Sequence, residues 1–281
     1  MGAAYAVPTA VVVTLFFLIP LGLVAVMSVD HWPLLGRATP NFPANYTDMA
    51  GDDLLRRAVG FTLKYTIIIT VVLFAVSFGL ALLVQNPRPG VGALRTAFFL
   101  PTAVGFATAS LLFLGMLSNE IGPVNPLLRH LGLIGKPIDW ITGSPTTALS
   151  STVGLVTWRF AGFNMLILLT GLQAIPTELY EAARVDGAGR VQAFRRITLP
   201  LMRPTIALVL IMMITGSLLA FDQFFILTGG RHDTATVVID IYREAFLSQD
   251  LGRAAAVSVA TLAVLIVLNV AQLRLIRREG K

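Results

Sequence analysis

The chain has 281 residues, of which 56% are hydrophobic and only 13% charged, with a net charge of +6 and a mean hydropathy of +0.78. Soluble domains carry about 25% charged residues, so the composition is that of a membrane protein. Cysteine is absent and the three histidines, His31, His130 and His232, lie far apart, which excludes a disulfide framework, a thiol nucleophile and a thiolate metal site and leaves no basis for a metal centre.

A hydrocarbon layer about 30 Å thick takes about 20 apolar residues of helix to cross. Runs of that kind occupy residues 4–29, 62–84, 96–117, 150–173, 206–226 and 254–273. They predict an all-α integral membrane protein of six transmembrane helices, forming one transmembrane domain over 1–281. The first run is longer than the roughly 7–15 residues of a signal h-region and has no basic n-region, so it reads as helix 1. Met1 stands almost at the membrane, and the natural start is expected further upstream. Pro20 and Pro101 fall inside helices 1 and 3, where neighbouring helices can satisfy the freed carbonyls; the expectation is a kink rather than a break. Residues 123–133 are apolar at helix-like spacing and suit a short helix along the membrane interface.

Six spans put both termini on one side. Segments sharing that side (1–3, 85–95, 174–205 and 274–281) hold 11 Lys/Arg and 4 Asp/Glu, whereas 30–57, 118–149 and 227–253 hold 8 and 10. The basic excess places both termini in the cytoplasm, facing anionic lipid and cytoplasmic partners. This distribution accounts for the positive charge without nucleic acid as a partner.

Residues 174–205 are too long and too regular for an ordinary connector. Pro176 suits a first helical turn, Glu178 and Glu181 favour its positive end, and Gly187 and Gly189 supply stops. A second helix is expected from about Arg190, ended by Pro200 and Pro204 before helix 5. Such a helix-Gly-helix element suits a device that receives motion from a soluble partner; it equally suits an amphipathic helix lying on lipid. The chain has no G-x4-GK[ST] sequence, and its only Gly-Lys pair, Gly135-Lys136, is followed by Pro137, so energy from ATP would have to come from another subunit.

Glu181-Ala182-Ala183, then Gly187, then Ile197-Thr198-Leu199-Pro200 resembles the EAA-x3-G-x9-I-x-L-P loop of permease subunits of binding-protein-dependent ABC importers. Ile19-Pro20-Leu21 with Ser28, Phe98-Phe99-Leu100-Pro101, Gly122 with Asn125 and Leu128, Asp186-Gly187-Ala188, and Leu227-Thr228-Gly229-Gly230 are similar to the carbohydrate branch of that family. The resemblance spans nearly the whole chain. It departs at Arg231, where family members often have Pro, and in lacking a basic N-terminal tail. It implies a half-channel in the inner membrane of a prokaryote, paired with a second homologous permease as a hetero-dimer, seated on two ATPase subunits through the loop and fed with sugar by an extracytoplasmic binding protein. ATPase coupling would fall to Glu181, Ala182, Ala183, Asp186, Gly187, Ile197, Leu199 and Pro200. No cofactor is implied on this chain; ATP and Mg would belong to the ATPase.

Charges at bilayer depth cost about 2.5–3.5 kcal/mol, so each needs a reason. Lys64 can snorkel from the end of helix 2. Asp222 with Gln223 falls near the end of helix 5, with Thr215 seven residues earlier on the same face. Arg159 is roughly 14 Å deep in helix 4. Arg159 and Asp222 could pair with each other. Alternatively one or other of these charges lines a route with Asn164 and rings such as Trp158, Phe160 and Phe163, a mix that suits sugar hydroxyls and CH faces; Arg159 and Asn164 are too far apart in helical phase to share one narrow face, and Asn164 and Asp222 are the preferred candidates. An ion-coupled secondary transporter is the alternative function, but it predicts coupling carboxylates at mid-bilayer. An intramembrane enzyme lacks any HExxH or GxSxG motif.

Overall fold

The computed structural model describes the backbone of residues 2–279 and the side chains of 6–274. Met1 and the basic residues Arg277, Arg278 and Lys281 of the charge tally lie outside the described side chains. In chain order the elements are α1 (Gly2–Val13), α2 (Ile19–Met27), a ribbon of β1 (Asp30–His31) and β2 (Thr39–Pro40), α3 (Ala44–Gly51), α4 (Asp53–Val84), α5 (Val91–Phe99), α6 (Phe106–Leu117) and α7 (Val124–His130). There follow α8 (Pro145–Gln173), α9 (Thr177–Val185), α10 (Arg190–Ala193), α11 (Leu199–Leu218), α12 (Asp222–Thr228), α13 (Val237–Phe246) and α14 (Leu251–Glu279). Among the described residues the fold is therefore all-α apart from one two-stranded ribbon. Five stretches, Ala6–Met27, Asp53–Val84, Pro145–Gln173, Arg190–Leu218 and Leu251–Arg274, are long and apolar enough to cross a bilayer, and the bent pair Val91–Ala103 with Phe106–Leu117 would make a sixth.

The prolines of the spans behave in two ways. A π-helical turn over Thr14–Leu18 precedes Pro20, and another over Phe194–Thr198 precedes Pro200. A proline ring collides with the carbonyl four residues back, and widening the preceding turn relieves that clash while the helix continues. Pro200 and Pro204 thus do not end the helix that begins at Arg190, contrary to the expectation from sequence; it runs without interruption into the span. Pro101 sits in a 3-10 turn, Leu100–Ala103, and α5 and α6 meet at 95°. Helix 3 is broken there, not kinked, because Val104 is extended (φ −73°, ψ 130°) and Gly105 follows it.

The chain divides into two units. The first comprises residues up to Val59 together with Thr236–Leu268. Asn45, buried, ties it together: its Nδ2 donates to the carbonyls of Ser28 (3.0 Å) and Asp30 (2.9 Å), and its Oδ1 accepts from Asn41 (2.9 Å). Gly252 passes so close that a Cβ would strike the Asp30 carbonyl and lie 2.9 Å from the Trp32 nitrogen. Thr236 caps α13 by accepting from the Ile239 N–H, and Leu55, Val237 and Val257 form the apolar core with Met49 and Ile241 against it.

The second unit holds Gly60–Ala235 and the chain from Asn269. Its centre is α8, started by a reciprocal Ser144–Thr147 capping box with Pro145 in the first turn. Leu155, Met165 and Leu168 are fully enclosed. Two glycines let neighbours approach: a Cβ on Gly162 would enter the Phe98 carbonyl of α5, and one on Gly171 would lie 2.6 Å from Thr205 Oγ1 of α11. Between α6 and α8, Asn125 of α7 is buried and satisfied on both sides, donating to Asn119 Oδ1 (2.9 Å) and the Ile138 carbonyl (3.0 Å) and accepting from Ile138 N–H (3.1 Å) and Trp140 Nε1 (3.0 Å). The short helix expected over 123–133 is α7, anchored by a polar network rather than by apolar contact alone. Asp139 accepts from the Thr142 hydroxyl (2.6 Å) and the Thr142 and Ile141 N–H groups, bonds that hold its carboxyl below the ordinary range.

Candidate functional site: a loop helix and a cavity

Pro176 leads into α9, and Asp186 closes it. Gly187 follows at φ +78°. The Ala188 N–H reaches back to the Ala183 carbonyl (2.8 Å) and the Gly187 N–H to Arg184 (3.1 Å), the paired bonds of a Schellman ending. The structural demand on Gly187 is therefore its left-handed backbone; a Cβ there would meet nothing within 4 Å. Tyr180 Oη shares a 2.8 Å hydrogen bond with Thr198 Oγ1, which fixes α9 to the foot of the following span. Glu181, Ala182, Asp186 and Gly187 are exposed, Ala183, Ile197 and Pro200 are half-buried, and Leu199 is exposed at the start of α11. Val185, 88% exposed, and Leu179 add apolar surface to α9.

The second feature is a cavity of about 290 Å³ inside the second unit. Tyr65, Ile69 and Leu73 of α4, Phe106 of α6, Val156, Phe160, Phe163 and Asn164 of α8, Met212, Met213, Gly216 and Ser217 of α11, and Gln223 of α12 line it. Gln223 is 2% exposed. Its Nε2 donates to Tyr65 Oη at 3.2 Å, while its Oε1 has no hydrogen-bond partner. Tyr65 is held edge-on by Phe224 (4.9 Å), which in turn packs edge-on to Phe61 (5.0 Å). Asn164, also buried, donates to the Phe160 carbonyl at 2.9 Å. A buried acceptor without a partner costs about 1–3 kcal/mol unless something supplies a proton to it, and Gln223 Oε1 is such an acceptor in a wall of rings and thioethers.

Of the five candidates for a substrate route, the cavity brings together Asn164 and Gln223. The other three lie elsewhere. Helix 5 ends at Leu218, not near 226, and Asp222 begins the separate α12 after Phe221 leaves helical geometry (φ −134°, ψ −70°). Thr215 and Asp222 therefore do not share a continuous helical face, and Thr215 Oγ1 donates to Asn269 Oδ1 (3.1 Å). Arg159 donates from Nε to the Val104 carbonyl (3.0 Å), and its guanidinium lies 4.4 Å from the Phe160 ring centre and 4.9 Å from that of Phe106. With Thr102 Oγ1 donating to the Arg159 carbonyl (2.9 Å), this residue fastens the bend between α5 and α6. No ion pair joins Arg159 to Asp222 among the described residues. Trp158 packs against Phe113 (5.5 Å), away from the cavity. Tyr65, Ser217 and Phe106 escaped the sequence reading; a tyrosine inside an apolar run, with a hydroxyl needing a partner, was the available signal for the first.

The family model described as "Binding-protein-dependent transport system inner membrane component" matches residues 3–281. The sulfoquinovosyl glycerol transport system permease protein SmoG of Agrobacterium fabrum is 34% identical over 237 residues, covering 84% of this chain and 76% of that protein. The sn-glycerol-3-phosphate transport system permease protein UgpA of the same organism is 33% identical, covering 84% and 80%. Among solved structures, a chain of a bacterial ABC transporter involved in import of the acidic polysaccharide alginate superposes with a TM-score of 0.87 at 25% identity, covering 99% of this chain and 96% of that one. The same kind of transporter has also been solved in complex with an alginate pentasaccharide-bound periplasmic protein.

Proposed function

Because the chain belongs to the inner-membrane components of binding-protein-dependent transport systems, it is a multi-pass permease subunit of an ABC importer and not an enzyme, and we propose that its cargo is a carbohydrate or a related polyol or sugar phosphate. The observation that carries the cargo class is the partnerless Oε1 of Gln223 inside an aromatic cavity. A sugar hydroxyl would donate to it, Asn164 and Ser217 would take neighbouring hydroxyls, and Phe106, Phe160 and Phe163 would face the CH edges. The polyhydroxy compounds in the relatives' names support the same class. Thr215, Asp222 and Arg159 then serve the walls around the cavity rather than the cargo. The relatives give no support to an ion-coupled carrier.

The assembly follows from α9. Its exposed Glu181, Ala182 and Asp186 and the apolar Leu179 and Val185 would seat in a cleft of a separate ATPase, where ATP and Mg bind, with Gly187 setting the bend and Ile197, Leu199 and Pro200 passing the motion into α11. Two ATPases, a second permease and an extracytoplasmic binding protein complete the importer. Both termini lie in the cytoplasm in this reading, which the basic excess of their side supports. Gln223→Leu tests the cargo site. In the assembled importer it should lower uptake by about 5- to 100-fold, the worth of one lost hydrogen bond to a buried partner, while ATPase co-purification stays normal. Uptake at the wild-type rate would remove Gln223 from the route.

A further inference from the structure

Asp240 is a carboxylic acid where a charge is poorly placed. It sits on α13 between Val237 and Ile241 of the first unit's apolar core, is 5% exposed, and its Oδ2 has no hydrogen-bond partner. Four charged groups act on it. Asp52, between α3 and α4, and Glu244, one turn further along α13, are acidic; Arg253 of α14 and Arg243 of α13 are basic. Arg253 is already committed, since its Nη2 is paired with Asp52 and its Nε lies 3.7 Å from Glu244 Oε1. An ionised Asp240 would thus be a third acid against two guanidiniums, of which Arg253 is already engaged, in a site that gives one of its oxygens no donor.

We propose that Asp240 is a proton-binding site on the extracytoplasmic side of the permease, and that protonation tightens the unit built from α3, the start of α4, α13 and the start of α14. The assignment of the side rests on the charge asymmetry between the loops; the site itself does not. Neutral Asp240 matches its apolar neighbours and leaves Arg253 to Asp52 and Glu244. Burial, then Asp52 and Glu244, push its carboxyl up to about 6 against the pull of Arg253 and Arg243. A raised folded-state value means that the folded chain holds a proton the unfolded chain has released. The resulting stability is present in full below the ordinary carboxylate range and is lost as the pH rises through about 6. A cargo released by a binding protein would therefore meet a firmer outer unit in mildly acidic surroundings.

The test uses the importer assembled with its partner permease and ATPase in a lipid bilayer. Thermal unfolding of the wild type between about pH 5 and pH 7.5 should show the melting temperature falling by several degrees as the pH rises. Asp240→Asn, neutral at every pH, should flatten that step and melt no lower than wild type at the alkaline end. A step of undiminished size in Asp240→Asn, or no step in the wild type, overturns the proposal. Should the variant fail to assemble, hydrogen exchange of wild-type peptides over 237–253, corrected for intrinsic rates, must slow at acid pH; unchanged protection overturns it equally. Changing the pH on one side of sealed vesicles separates the two premises. A response to the external pH upholds both, whereas a response to the internal pH alone, still lost in Asp240→Asn, upholds the proton site and reverses the topology.

Discussion

Gly187 offers a test in which the structure separates two explanations for one residue. Its φ of +78° is left-handed, and the space where a Cβ would point is open. If the backbone conformation is all that matters, the cost of a side chain depends on how readily that residue adopts positive φ. Alanine pays about 1–2 kcal/mol for a left-handed backbone, asparagine less because it visits that region routinely, and valine more because its branched Cβ makes it an outlier there. At 1.4 kcal/mol for each factor of ten, Gly187→Ala should weaken capture of the ATPase by about 5- to 30-fold, Gly187→Asn by less and Gly187→Val by more. The assay is titration of the purified ATPase onto the membrane subunits, with binding-protein affinity for sugar as the unaffected control. If Asn is as damaging as Val, conformational preference is not the reason for the glycine, and the partner must instead press against the position itself.

Two further outcomes follow. The native chain has no cysteine, so Leu35→Cys, at an 84% exposed position, should react with an impermeant thiol reagent from outside, whereas Gln192→Cys should react only after permeabilisation; the reverse pattern overturns the topology. Gly162→Ala should sharply reduce the amount of folded permease because its Cβ has no room beside the Phe98 carbonyl, whereas Gly79→Ala, with nothing within 4 Å, should be neutral or gain up to about 1 kcal/mol of helix stability; quantitative immunoblotting and thermal unfolding compare them.

Much of the architecture was legible because hydropathy reports burial in lipid, and the spans containing α4, α8 and α14 needed nothing more. The loop over 174–205 was legible for another reason: the glycine and the helix-favouring residues before it encode a local ending, and Gly187 adopts it. The break at Pro101 was not, since hydropathy is indifferent to φ and ψ, and the same residue type that breaks helix 3 is absorbed by a π-helical turn at Pro20 and Pro200. The cavity was half legible. Asn164 was a preferred candidate, but Gln223 entered only as the neighbour of Asp222, and the arithmetic of helical phase linking Thr215 to Asp222 presumed one unbroken helix, which Phe221 breaks. Arg159 drew attention by its depth, yet two ring faces and a carbonyl satisfy it locally, which no spacing in the sequence discloses.

Cross-linking at α9 bears most directly on the claim that this permease is driven by a separate ATPase. With Ala182→Cys as the only cysteine in the permease, a short bifunctional thiol reagent should join it to a single cysteine placed in the ATPase cleft, and the cross-link should halt ATP-dependent uptake while the binding protein still takes up sugar. Absence of any such cross-link in an assembled importer that continues to transport would show that α9 is not the docking element, and would contradict the account.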